Sequence, residues 1–100
     1  MRIIALSTLK AFWDESPHYL DCKEPTLAWY RHALKADWET PDQVKTDFGS
    51  ASILKDGRVV FNIAGNKYRL IVWINYAYKI VYIRFIGTHT EYDKVDAQTI

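Results

Sequence analysis

The chain has 100 residues, 13 Lys+Arg against 12 Asp+Glu for a formal charge of +1, and 49% hydrophobic and 15% aromatic residues. Those figures exclude disorder, collagen and coiled coil, and predict one globular domain over residues 1–100 that buries roughly 60 to 70% of its unfolded surface. A lone cysteine, Cys22, closes no internal bridge, and Leu70 to Ile74, the longest strongly apolar stretch, falls far short of the roughly 20 residues of a membrane span.

The first half reads as helices. A short strand, Arg2 to Ala5, leads into a helix whose Leu6, Leu9, Phe12 and Trp13 share one stripe, with Ser7 or Thr8 as N-cap and Pro17 as its end. A second helix begins near Asp21 to Lys23, tolerates Pro25 in its first turn and points Leu27, Tyr30 and Leu34 inward. A third opens on Thr40 as cap, Pro41 at the first helical position and Gln43 completing a capping box. Val44 and Phe48 give it an apolar side and Gly49 stops it.

The second half reads as strands. Ser52 to Lys55 and Arg58 to Ile63 flank Asp56-Gly57, a pair suited to a two-residue hairpin in which both positions take positive φ. A turn over Ala64 to Lys67, with Gly65-Asn66 supplying the same tolerance, precedes the longer strands Tyr68 to Asn75 and Ile80 to Thr88. Helices followed by a meander predict an α+β fold with helices on one face of an antiparallel sheet and the other face free.

Charge is uneven along this plan. Residues 1–50 hold six basic and eight acidic side chains, whereas residues 51–90 hold six basic ones and a single acid, Asp56. One sheet therefore concentrates the positive charge. Alternation in Arg58 to Ile63 sends Val59, Phe61 and Ile63 to the core, and Arg58, Val60 and Asn62 to the other face. Arg69, between Tyr68 and Leu70, needs an acid, a carbonyl or an anionic ligand. The same holds for Arg84. His89 follows the last strand directly, where a rigid element can present a catalytic side chain, and Thr90 can cap a turn carrying Tyr92 and Asp93. Histidines 18, 32 and 89 lack the spacing of zinc ligands, so no metal or cofactor is indicated. The N-terminal run Met1 to Leu6 is followed by Lys10 and Asp14 before any cleavage site. It does not read as a signal peptide, and the expected location is the cytoplasm.

The runs Arg58 to Leu70 and Val81 to Asp93, the latter closing on Gly87-Thr88-His89-Thr90-Glu91-Tyr92-Asp93, resemble the HigB family of bacterial toxins in the RelE superfamily. Ala28-Trp29-Tyr30 and Lys35-Ala36-Asp37-Trp38 fit the same family, so the resemblance covers essentially the whole chain. It implies a RelE-like fold and the toxin of a type II toxin–antitoxin pair, an mRNA interferase that cuts translated messages on the ribosome. The implied partner is a HigA-like antitoxin with a helix-turn-helix domain, and operator DNA is reached only through the toxin–antitoxin complex. The near-neutral charge departs from the markedly basic superfamily pattern and implies weak binding to free RNA.

RNA cleavage by the ribose 2′-OH needs a base, an acid and cations over the developing phosphorane. The resemblance assigns Arg69 to the scissile phosphate, His89 to acid or base, and Tyr92 to the 2′-OH or to stacking on a base. For Tyr92 to act as a base, Lys67 and Arg69 must lower its pKa. Arg58, Asn66, Lys67 and Arg84 become backbone or base contacts. Alternation puts Arg84 and His89 on opposite faces, an outcome a bulge at Gly87 would reverse. The whole scheme requires Arg69, His89 and Tyr92 to share one concave patch. A non-enzymatic inhibitor on the same fold and a protein-binding module are the alternatives.

Overall fold

The computed structural model describes residues 1–100. In chain order it contains β1 (Arg2–Ile4), α1 (Leu6–Glu15), a 3-10 helix (Pro17–Cys22), α2 (Lys23–Lys35), α3 (Pro41–Asp47), β2 (Ser52–Ile53), β3 (Arg58–Ile63), β4 (Tyr68–Asn75), β5 (Ile80–Thr88) and α4 (His89–Tyr92). The strands form one sheet in the order β1-β5-β4-β3-β2. All pairs are antiparallel except β1, which lies parallel to β5 with Arg2 opposite Ile80. The α+β architecture expected from the sequence is therefore present, with a parallel edge strand added.

Local chemistry moves several boundaries. The N-cap of α1 is Ala5, in extended backbone, and no side chain caps it; Ser7 and Thr8 lie inside the first turn. Pro17 ends α1 and also opens the 3-10 helix, whose Ser16 cap accepts a hydrogen bond from the His18 N–H at 3.2 Å. In α2 the buried stripe is Thr26, Trp29 and Ala33, continuing from Cys22 of the 3-10 helix; Leu27 and Tyr30 pack against the core beside it, partly buried, whereas Leu34 is 44% exposed. The Trp29 indole has more apolar area to bury than any leucine and packs on Phe61 at 5.3 Å, which sets that stripe. Thr40 makes no capping bond; instead Gln43 accepts from the N–H of Glu39. The short α3 is pinned from the side, because Asp47 Oδ2 takes hydrogen bonds from His32 Nε2 at 3.0 Å and Trp38 Nε1 at 2.9 Å.

One face of the sheet carries the main core. Val59, Phe61, Ile63, Tyr68, Leu70, Val72, Ile74 and Val81 pack there with Leu9, Phe12, Trp13, Trp29, Trp38 and Val44. Each fully buried aliphatic of this set contributes about 1.5–3 kcal/mol of transfer free energy. The turn at Asp56-Gly57 forms with both residues at positive φ, 55° and 81°, but β2 stops at Ile53, short of the expected Lys55, and Leu54 lies opposite Arg58. In the next turn the left-handed residues are Ala64 and Gly65, not Gly65 and Asn66.

The second face is not free. Val60 and Ile71 on it are 3% and 0% exposed. The segment after α4 returns across it: Gln98 exchanges hydrogen bonds with the Lys55 backbone at 2.9 and 2.8 Å, and the Ile100 backbone oxygen accepts from both Arg58 and Arg84. The bulge lies at Arg84 rather than Gly87. Ile71 faces Phe85 and Val72 faces Ile83, so Arg84 has no partner on β4, while Gly87 pairs regularly with Arg69. At Gly87 a Cβ would come within 2.6 Å of the Phe85 ring and 3.3 Å of Glu91 Cβ, so the missing side chain lets α4 fold back onto the sheet.

Gly57 tests the hairpin. A Cβ there would meet the Ile74 carbonyl oxygen at 2.6 Å at a φ of +81°. Gly57→Ala is expected to destabilise the protein by about 1–3 kcal/mol. Thermal unfolding should show the midpoint falling by roughly 4–8 °C per kcal/mol for a domain of this size.

Candidate active site

β4 and β5 carry the candidate residues to one end of the second face. Asn62, Arg69 and Gly87 stand directly opposite one another on β3, β4 and β5, all pointing away from the helices. Beyond Thr88 the ladder continues by one bond, His89 N–H to the Lys67 carbonyl at 3.2 Å. α4 starts at once. Its N-cap is Thr88, not Thr90, and it forms a full capping box: the Thr88 hydroxyl accepts from Glu91 N–H at 3.2 Å and the Glu91 carboxylate from Thr88 N–H at 2.9 Å. This fixes the four-residue helix and with it the directions of His89 and Tyr92.

Three expected residues meet here. The Arg69 guanidinium lies over the Tyr92 ring, 5.7 Å from its centroid, and the His89 ring meets the same phenol edge-on at 6.4 Å. Arg69 is held by the carbonyls of Asn66 at 2.9 Å and Tyr68 at 3.4 Å. No carboxylate pairs with it. The Arg69 guanidinium therefore has no side-chain counter-ion and retains free donors, the condition for anion binding.

Asp93 adds a partner that the sequence reading placed nearby but gave no role. Its Oδ2 lies 3.2 Å from His89 Nδ1 across one helical turn. A carboxylate only accepts, so the hydrogen belongs on Nδ1 and the lone pair of neutral imidazole on Nε2. The His89 side chain is 53% exposed, within reach of an incoming strand. The i, i+4 spacing of His89 and Asp93 was the available signal.

Lys67 stands differently from expectation. It pairs with Asp21, whose other oxygen accepts the Tyr68 hydroxyl. Those two bonds hold the Asp21 carboxyl below its ordinary value, the lysine contributing most. Burial, then the Asp21 bond, pushes the Tyr68 phenol far above the usual tyrosine range. The Lys67 charge is thus matched by Asp21 instead of being directed at Tyr92. Asn66 contributes its carbonyl to Arg69 and stays exposed in the turn. Arg58 and Arg84 lie farther along the face, both on the Ile100 oxygen.

The cluster sits on an open surface. Two concavities, of about 240 and 270 Å³, lie between α2 and β3 and beside α3, and neither includes Arg69, His89 or Tyr92. The concave patch expected from the sequence is therefore not formed; the three side chains meet on an open face beside α4.

Residues 22–95 match the family described as the RelE-like toxic component of a toxin-antitoxin system, which makes the chain a RelE-like toxin. More narrowly, it belongs to the HigB toxin family. It is 32% identical over 90 residues to the mRNA interferase toxin HigB of Escherichia coli (strain K12), covering 88% of this chain and 86% of that protein. The mRNA interferase HigB of Shigella flexneri is similar to the same extent. That of Escherichia coli O6:H1 is 32% identical over 68 residues, or 66% of each chain.

Asp21 supplies a pH test of this corner. Its carboxyl is depressed below the ordinary 3.8, so its stabilisation is complete above that pH and is lost as pH falls through the lower folded value. Asp21→Asn is expected to melt below wild type at neutral pH. The gap should narrow as pH drops below 3.8, as read by melts across an acid series.

Proposed function

We propose that this chain is an mRNA endoribonuclease that cleaves translated messages on the ribosome, acting as the toxin neutralised by a HigA-like helix-turn-helix antitoxin. The observation that carries this reading is Arg69, an unpaired guanidinium stacked on Tyr92 beside the His89–Asp93 pair. Relatives of matching length named mRNA interferases support it.

In this scheme Arg69 grips the scissile phosphate and stabilises the charge that grows on its oxygens. The ribose 2′-oxygen attacks the adjacent phosphorus, its proton passes to a base, and the bond from phosphorus to the 5′-oxygen breaks as that oxygen gains a proton from an acid. The products are a 2′,3′-cyclic phosphate and a 5′-hydroxyl end. His89 serves as one proton-transfer group, with Asp93 holding its tautomer and stabilising the imidazolium. Tyr92 orients the 2′-OH or stacks on a base. Asn66, Arg58 and Arg84 contact the strand, and Lys67 adds less because Asp21 neutralises it. The whole chain, 1–100, forms the toxin domain and works in the cytoplasm. Its near-neutral charge leaves positioning of the message to the ribosome, and operator DNA is met only in complex with the antitoxin.

Induced expression should halt growth and leave new 5′-hydroxyl ends inside coding regions. His89→Ala is expected to slow cleavage about 100- to 10,000-fold. Arg69→Ala should cost about 100- to 1,000-fold, and both variants should melt like wild type. Lys67→Ala should have the smallest effect of the three. Mapping of message 5′ ends, with and without active ribosomes, checks all of this. Arrested growth with intact messages would replace the nuclease by a non-enzymatic inhibitor.

A further inference from the structure

Four tryptophans occupy two kinds of site. Trp13, Trp29 and Trp38 are 3%, 3% and 2% exposed, whereas Trp73 is only half-buried on the second face of the sheet. Its ring is fixed there. Nε1 donates to the Asp56 carbonyl at 2.8 Å, Gly57 packs against its edge, and the indole stacks on Tyr82 with centroids 5.1 Å apart and planes at 24°. Core packing gives no reason for this pair, because Val72, Ile74 and Val81 fill the helical side at the same level.

Charge surrounds the pair. Arg58, Trp73 and Tyr82 are direct cross-strand neighbours on β3, β4 and β5, and the bulged Arg84 lies next along β5. Both guanidiniums donate to the same oxygen, that of Ile100, and neither pairs with an Asp or Glu side chain. Two arginines without an Asp or Glu partner beside a half-buried stacked aromatic pair match the chemistry of single-stranded nucleic acid, which offers a base face and a phosphate at each step. The patch also continues the proposed active site. Trp73 is four residues from Arg69 on β4 and faces the same way, a separation of about 13 Å at roughly 3.3 Å per residue.

We infer that Trp73 and Tyr82 form a stacking platform for a base of the same RNA strand whose phosphodiester Arg69 contacts, with Arg58 and Arg84 on the intervening phosphates. This rests on the nuclease reading and extends it by a second point of grip. Because the indole is already held by Asp56 and Tyr82, stacking orders little that was mobile before. The platform accepts any base, so it sets affinity rather than sequence preference.

The test compares Trp73→Leu, which removes the ring and keeps apolar bulk, with Trp73→Phe, which keeps a ring. At limiting toxin in a cell-free translation system, the Leu variant should cleave a translated message about tenfold more slowly than wild type. The Phe variant should stay within about threefold of wild type, and both should have similar thermal midpoints. A short single-stranded RNA should also quench the indole emission of wild type and of His89→Ala, but not of Trp73→Phe, and polyphosphate should quench none of them. Cleavage by the Leu variant at the wild-type rate would overturn the platform while leaving the nuclease intact. Loss of antitoxin retention by the Leu variant, with cleavage unchanged, would overturn it in favour of a protein contact. If wild type cuts no message, the nuclease reading fails, and the quenching titration alone upholds or overturns the platform.

Discussion

Between Ile83 and Phe85 the β5 ladder carries one residue more than β4 opposite it, and Arg84 has no partner. Strand parity changes at that point. Val81 and Ile83 face the helices before the bulge; Ile86 and Thr88 do so after it, while Phe85 and Gly87 turn to the second face. Without the extra residue Gly87 would enter the core and α4 would leave the sheet on the wrong side. The capping box then holds α4 in one direction, so His89 and Tyr92 arrive beside Arg69. A bulge next to a functional cluster is a common way of re-aiming side chains. Here it also frees Arg84 to join Arg58 on the Ile100 oxygen.

Countercharge separates Lys67 and Lys79 from the three arginines of the C-terminal half. Lys67 is paired with Asp21, and Lys79 meets Asp37 at 3.1 Å and Glu39 at 3.7 Å, all three acids coming from the helical half. Arg69, Arg58 and Arg84 have only backbone oxygens, together with the Tyr92 ring. Lys67 and Lys79 thus tie sheet to helices, while Arg69, Arg58 and Arg84 have no Asp or Glu partner. A chain of net charge +1 can in this way present a locally positive face.

Much of the architecture was legible in the residues. β3, β4 and β5 follow from period-2 alternation of β-branched and aromatic residues, and the turn between β2 and β3 from Asp56-Gly57. Convergence of Arg69, His89 and Tyr92 was expected from family likeness, and Asp93 from its place in the same cluster. What was missed depends on contacts distant in sequence or on signals that cut both ways. β1 appears where a short strand is expected, but its three residues carry no sign of the parallel pairing with β5. Pro17 ends one helix and begins another. The α2 stripe turns on which apolar side chain is largest, a packing matter. Asp21 and Lys67 lie 46 residues apart, and the segment ending at Ile100 is held by side-chain-to-backbone bonds with no periodicity to read. Gly87 carries the usual signal of a bulge, although here glycine serves close approach of the Phe85 ring.

The parallel pairing of β1 with β5 joins Arg2 to Ile80, so the sheet closes only by bridging nearly the full chain. Closing so long a loop is entropically slow and waits on the segments between. During synthesis the helices emerge first and β5 late, followed by the turn that bears His89 and Tyr92. A nascent polypeptide stopped before β5 therefore holds neither the edge that receives β1 nor the groups proposed to cut RNA. The ribosome making this protein therefore meets none of the proposed groups in place until β5 has emerged.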